Sequence, residues 1–217
     1  MFKRPAALIR TTVLVVGVIY SSVLLATGKD AATLFRYLTS GLPALASGLL
    51  LAWDLWLWRQ PGIRRLAHRP RIEGLWEGDI QPTAESVIPP GGNRGPIPVL
   101  LVVRQSFWSL HIRLYTSESA SDSRSVFWNR LPGASVDQLS FLYDNLPHPS
   151  ERVRSTAHRG SCTFDTQTFQ PQEIRGEYFT DRYTQGQIRL NLVDRSSGYG
   201  SFDEAEAHAT VVNTGRG

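Results

Sequence analysis

The chain has 217 residues, 41% of them apolar, 19% charged and 10% aromatic, enough for one ordinary domain plus an appendage and too little for a multidomain enzyme. A single cysteine, Cys162, excludes an internal disulfide and any site built on several thiolates. The formal charge of +4 is unevenly spread: residues 1–71 carry +8 and residues 72–217 carry −4, so the basic character belongs to the N-terminal part.

Thr11 to Ala26 is apolar or small throughout, and with Ala6 to Ile9 before it, interrupted by Arg10, it reaches the ~20 residues that cross a bilayer as a helix. A cleaved signal peptide is the rival reading, with Lys3 and Arg4 as its basic start and Ala26-Thr27-Gly28 as a small-residue site. A second span is expected over Ser40 to Trp58, with Pro43 in a first helical turn. The spans are thus about residues 6–26 and 40–58, the hairpin occupies residues 1–58, and residues 59–70 form a basic linker.

Lys3, Arg4 and Arg10 flank one end of the hairpin and Arg59, Arg64, Arg65, Arg69 and Arg71 the other, against Lys29 and Arg36 in the connecting turn. Cationic residues stay on the cytoplasmic side, so the N-terminus and the C-terminal domain of this multi-pass chain are both expected in the cytoplasm. Trp53, Trp56 and Trp58 fall where an interfacial aromatic belt belongs. Asp54 is placed at the depth of Arg10, which allows an ion pair between the spans, or else it reaches the headgroups. Ala44, Gly48 and Ala52 form a smooth strip, suited to packing within the hairpin or to contact between protomers.

From residue 71 to 217 helical periodicity gives way to short β-branched, aromatic and leucine-rich runs. Eight strands are predicted: Ile72 to Ile80, Val99 to Gln105, Phe107 to Thr116, Ser125 to Leu131, Gln138 to Asp144, Ser155 to Phe164, Glu173 to Asp181 and Gln187 to Asp194. Leu110, Ile112 and Leu114 alternate with His111, Arg113 and Tyr115, so one face is packed and the other wet or ligand-lining. Short connections predict a small antiparallel up-and-down barrel, with a β-sandwich as the alternative. Gln81 to Pro98, with five prolines and three glycines, reads as a loop at one mouth. Ser201 to Val212 is expected to be a short helix or a last strand.

No G-x-S-x-G nucleophile elbow occurs, and His68, His111, His148, His158 and His208 have no metal-ligand spacing, so no catalytic or metal residue and no cofactor is assigned. Gly91-Gly92-Asn93-Arg94-Gly95 lacks the lysine and helix start of a phosphate loop and reads as a plain loop. Cys162 reads as packing. What the domain does carry is arginine interleaved with aromatics: Trp108, Arg113 and Tyr115; Phe127, Trp128 and Arg130; Tyr178, Phe179, Arg182 and Tyr183. Aromatic rings bind the face of a base and a guanidinium grips phosphate oxygens. The acidic balance of this domain disfavours a DNA or RNA polymer as partner, whereas a small enclosed phosphate-bearing ligand needs only local arginines. Tyr178, Thr180 and Arg182 share a face if a strand runs through them, with His158-Arg159-Gly160 on the adjoining strand. Arg113, Tyr115, Trp128 and Arg159 join the ligand-side candidates by alternation.

The two apolar spans, the basic linker, Gly74-Leu75-Trp76-Glu77-Gly78, His158-Arg159-Gly160, and Gly176-Glu177-Tyr178-Phe179-Thr180-Asp181-Arg182 with Gly186 resemble the two-transmembrane, β-strand-rich effectors of bacterial cyclic-oligonucleotide antiphage signalling (CBASS). The resemblance covers the whole chain and implies an eight-stranded barrel that binds a cyclic dinucleotide from a partner nucleotidyltransferase. It further implies that the spans lie in a bacterial inner membrane and that binding promotes homo-oligomerisation, after which the spans disrupt that membrane and kill the infected cell. Tyr178, Thr180 and Arg182 take the ligand side under this resemblance, and Arg10, Ala44, Gly48, Ala52 and Asp54 belong to the membrane and assembly element. A membrane-tethered lipocalin-like carrier of lipid or fatty acid, and a non-catalytic membrane scaffold, are the alternatives.

Overall fold

The computed structural model describes residues 5–27, 33–63, 69–88, 90, 92–129, 136–153 and 155–215, with the side chains of 5–9, 12, 24, 27 and 33–39 excepted. Lys3, Arg4, Lys29, Asp30, Arg64, Arg65, His68, Gly91, Arg130, Leu131 and the Arg36 side chain, all used above, lie outside the described residues. The chain forms two compact units, Met1–His68 with Ser106–Ser109, and Arg69–Gln105 with Leu110–Gly217.

The first unit is a helix pair, α1 (Pro5–Thr27) and α2 (Thr33–Leu55), closed by a short 3-10 turn at Leu57–Arg59. The second helix begins well before the predicted Ser40, which puts Pro43 inside it. Ser47 lies on the packed side of α2, where its hydroxyl donates to the carbonyls of Val13 at 3.0 Å and Pro43 at 2.7 Å. Gly17 is buried against Ser47, and a Cβ there would collide with its hydroxyl, so the small residue sets the helix approach. Ala44 and Gly48 are exposed and Ala52 half-buried, and among the described residues nothing lies within 4 Å of a Cβ built on Gly48. Ala44 and Gly48 therefore do not serve the hairpin's own packing, because the contact face runs through Ser40 and Ser47. Among the described residues no helix is long and apolar enough to cross a membrane.

Asp54 is completely buried and has a full set of partners. Arg10 pairs with it through Nε, and the Trp108 backbone N–H donates to its other carboxylate oxygen at 3.0 Å. Its own carbonyl accepts from the Phe107 N–H at 3.0 Å and from Trp58 Nε1 at 3.2 Å. Trp53 and Trp58 pack edge-on against Phe107, so only Trp56 of the three belt candidates is exposed; the other two build an aromatic cluster around Asp54.

The second unit is a closed eight-stranded antiparallel barrel in which each strand pairs with its sequence neighbours and the last returns to the first. The strands are β1 (Gly74–Pro82), β2 (Ile97–Gln105), β3 (Leu110–Tyr115), β4 (Ser119–Asn129), β5 (Asp137–Pro147), β6 (His158–Thr166), β7 (Glu173–Thr180) and β8 (Gln185–Asp194). The principal boundary correction is β4, which starts at Ser119 rather than Ser125. Its Ser119-Ala120-Ser121-Asp122-Ser123 run has poor intrinsic β preference, yet it is paired on both sides, by β3 and β5, with a register shift between Ser123 and Ser125. The sixth strand starts at His158 rather than Ser155.

Inward-pointing residues divide the barrel into two halves. Trp76, Leu101, Val103, Leu139, Phe164, Ile174 and Leu190 fill one half completely. That end is closed by the segment before β1: Gln105 Oε1 accepts from Ile72 N–H at 2.8 Å, and Trp76 Nε1 donates to the Ile72 carbonyl at 2.9 Å. Arg195 clamps the same end by donating to the carbonyls of Arg71, Glu73 and Pro171, each at 3.0 Å; burial lowers its pKa to about 10. The C-terminal tail is a helix, α3 (Phe202–Thr214), with Ser201 as N-cap accepting from Glu204 N–H. Ala205 and Ala209 pack this helix on the outer face of the barrel over Leu75, Leu100, Val102 and Tyr115.

Candidate functional site

The other half of the barrel is hollow. A cavity of about 800 Å³ opens at the end formed by the C-termini of β1, β3, β5 and β7, within the range of small-molecule sites. Its deeper walls are Ile112, Leu114, Phe141, Tyr143, Cys162, Tyr178 and Ile188. The mouth is divided by chemistry. From β3 round to β8 it carries Thr116, Glu118, Ser119, Ser121, Asn145, His158, Thr180, Arg182 and Thr184, while Ile80, Pro82 and Ile97 with Val87, Ile88 and Pro90 of the β1–β2 loop make the remaining side mostly apolar, with Asn93 as its polar residue.

Two ring positions are set by missing side chains. Tyr143 stands opposite Gly160 in the β5–β6 ladder, and a Cβ on Gly160 would strike its phenol ring. Tyr178 stands opposite Gly186 in the β7–β8 ladder, where an added Cβ would come within 2.8 Å of the Tyr178 ring. Each tyrosine thus lies over a glycine of the next strand and leaves the centre of the barrel open. Burial pushes the Tyr178 hydroxyl up to about 12 and also raises Tyr143 and the Cys162 thiol, so all three are neutral at physiological pH.

The β7–β8 turn carries Arg182. Asp181 fastens it to β6: its N–H donates to the Arg159 carbonyl at 2.9 Å, and its carboxylate accepts from the Arg159 N–H at 3.1 Å. The Thr180 hydroxyl, 2.6 Å from that of Thr184, accepts from the N–H groups of Arg182 and Thr184 at 3.3 and 3.2 Å, and Tyr183 takes the left-handed conformation. Arg182 then donates through Nη1 to Ser155 Oγ at 3.0 Å and to the Thr156 carbonyl at 3.4 Å. Across the mouth the Asn145 amide donates to Ser119 Oγ and Ser121 Oγ, both at 2.9 Å. Ser86 of the β1–β2 loop accepts from Gln185 N–H at 2.9 Å, and Val87 N–H donates to the Tyr183 carbonyl at 3.0 Å, tying that loop to the same turn.

The structure brings together Tyr178, Thr180 and Arg182 on the cavity wall, although Arg182 lies in the turn beyond the end of β7. It separates the four candidates chosen by alternation. Arg113 and Tyr115 face outward: Tyr115 is buried beneath α3, the Arg113 guanidinium lies 5.1 Å over its ring, and Arg113 is 3.7 Å from Asp122. Arg159 also faces outward, 3.3 Å from Asp144, and reaches the site only through its backbone. Trp128 points inward but in the filled half, with the Arg69 guanidinium 5.9 Å over its ring. In a closed barrel the face carrying Ile112 and Leu114 is the ligand face, so taking the polar face of β3 as ligand-lining inverted the assignment. Tyr143, Asn145, Ser119, Ser121 and His158 were missed as wall residues; the alternation Leu139, Phe141, Tyr143, Asn145 contained the signal. Among the described residues no group of three or more His, Cys, Asp or Glu could hold a metal ion.

A closed barrel, filled at one end and hollow at the other, with aromatic walls and a fixed arginine at a half-polar mouth, defines a small-molecule receptor domain. The family model for Cap15, cyclic dinucleotide receptor domain, matches residues 68–192, more than half of the chain, and the chain belongs to that family. No curated protein matches it.

Proposed function

We propose that the open half of the barrel holds a cyclic dinucleotide and that this chain is the membrane effector of an antiphage response. The observation that carries the reading is the joint presence on one cavity wall of Tyr143 and Tyr178, whose rings suit the faces of bases, and Arg182, whose fork suits a phosphodiester. The family match supports the same ligand class. A partner nucleotidyltransferase supplies the cyclic dinucleotide, and the chain itself performs no reaction on it.

The hairpin is the output of this reading. Two 23-residue helices extend about 35 Å each, longer than the ~30 Å core of a bilayer, so length favours a span although neither helix is long and apolar enough throughout its described residues to mark one by itself. Val15, Val16, Val18 and Ile19 on α1 and Leu42, Leu45, Leu49 and Leu50 on α2 are exposed, which suits contact with lipid. In the inner membrane, with both ends cytoplasmic, the exposed Ala44 and Gly48 are open to another hairpin. Ligand can drive such homo-oligomerisation only if the assembled state binds it more tightly than the free state does. The lesion that follows disrupts the inner membrane and kills the cell.

The apolar side of the mouth, Ile80, Ile97 and Val87, would also suit an acyl chain, which keeps a lipid-carrier reading as the second one. Calorimetric titration of the full chain in micelles with cyclic dinucleotides and with fatty acid, followed by light scattering, separates the two. Saturable binding of a cyclic dinucleotide with growth of the particles supports the effector; saturation by fatty acid alone would replace it with the carrier.

A further inference from the structure

Two side chains able to carry positive charge meet at one carbonyl oxygen in the cavity mouth. His158 Nδ1 lies 3.3 Å from the Thr156 carbonyl, and Arg182 Nη1 donates to the same oxygen at 3.4 Å. Both side chains line the cavity. A carbonyl can only accept, so Nδ1 carries the hydrogen in that contact and the lone pair of the neutral ring sits on Nε2. Among the described residues Nε2 has no protein partner. Protonation there would create a second N–H donor beside the guanidinium.

With no anion against the ring the imidazolium is disfavoured: burial, and then the Arg182 charge, hold His158 below the ordinary histidine pKa. The groups around it do not reverse this. The hydrogen bond to the Thr156 carbonyl and, more weakly, Asp181 in the β7–β8 turn pull the other way, and Glu118 lines the same cavity. Tyr143 from β5, Tyr178 from β7 and Cys162 from β6 itself are all kept neutral, and the cross-strand partner Asn145 does not titrate. An anion placed against both side chains would offset the Arg182 charge and favour the protonated ring.

We propose that His158 and Arg182 together seat one phosphodiester of the bound nucleotide, with a proton passing from solvent to His158 Nε2 as the anion arrives. The proposal rests on the cyclic dinucleotide reading and adds to it a second phosphate-binding residue and a proton linkage. Its sign follows directly: binding takes up a proton, so affinity weakens as pH rises from the histidine pKa of the free protein toward that of the complex.

The test is calorimetry on the full chain in micelles with cyclic di-AMP, cyclic di-GMP and cyclic GMP–AMP, in two buffers of different ionisation enthalpy. The wild type is expected to take up a fraction of a proton per ligand, with Kd rising by up to about tenfold per pH unit as pH rises above the lowered histidine pKa of the free protein. His158→Gln, with folding confirmed by its thermal transition, should bind more weakly, with no uptake and a flat pH profile. Arg182→Ala should reduce the uptake as well as the affinity, because the imidazolium is then less disfavoured before binding. Buffer-independent heats with pH-independent affinity in the wild type, or full uptake retained in His158→Gln, would overturn the proposal. No heat with any of the three probes would overturn the cyclic dinucleotide reading, and this inference with it.

Discussion

Tyr143 lies across the β5–β6 ladder from Gly160, and its phenol ring occupies the space a side chain at Gly160 would need. The ring is a cavity wall because the next strand has no Cβ there. Gly160→Ala would press on both the ring and the Phe179 carbonyl, one of which is backbone and cannot yield. The expected cost is about 1–3 kcal/mol of stability, with a lower thermal midpoint and weaker ligand binding; unchanged values of both would show that the ring is free to move.

Among the described residues Arg182 makes its side-chain hydrogen bonds to Ser155 and Thr156, and those are exposed contacts. Arg182→Ala should therefore leave the thermal midpoint nearly unchanged and weaken cyclic dinucleotide binding by about 10- to 100-fold, the worth of a charge-assisted hydrogen bond. Arg182→Lys should recover part of the loss, since charge returns without the fork.

Asp54 is buried between Arg10 and the Trp108 N–H. Asp54→Ala strands both donors and should destabilise the helical unit by about 3–5 kcal/mol, read as faster proteolysis of the hairpin in micelles. Replacing Arg10 and Asp54 together with apolar residues should recover much of that stability, because the stranded charge is gone. A double variant as labile as the single one would show that the Trp108 contact, not the ion pair, holds the unit.

On the outer face, a hydrogen bond from His111 is the main cause that lowers the Asp122 pKa, with Arg113 adding to it. A depressed carboxyl contributes stability that is present above its unfolded pKa and fades as pH falls through the folded one. Asp122 should titrate below the ordinary aspartate range by NMR, and His111→Ala should move its midpoint upward.

Strand alternation, short connections and punctuation made the barrel legible in the sequence, and the charge and apolar pattern made the helix pair legible. The start of β4 was hidden because Ser119 to Ser123 earns its strand from two neighbours rather than from its own preference. The site was half legible. Tyr178, Thr180 and Arg182 stood out as a costly row for a core, but Arg113, Tyr115 and Arg159 were read inward when closure of the barrel turns their face outward. Asn145 and His158 are single polar residues that acquire meaning only from their pairing across β5 and β6. Trp58 lost its expected place in an aromatic belt because Asp54 and Phe107 enclose it.

The most direct measurement compares equilibrium binding of cyclic di-AMP, cyclic di-GMP and cyclic GMP–AMP to the full-length wild type, Arg182→Ala and Arg113→Ala. A receptor that binds inside the barrel predicts saturable binding of at least one of them, lost or sharply weakened in Arg182→Ala and unchanged in Arg113→Ala. Binding that survives Arg182→Ala and fails in Arg113→Ala would place the ligand on the outer face and contradict the account.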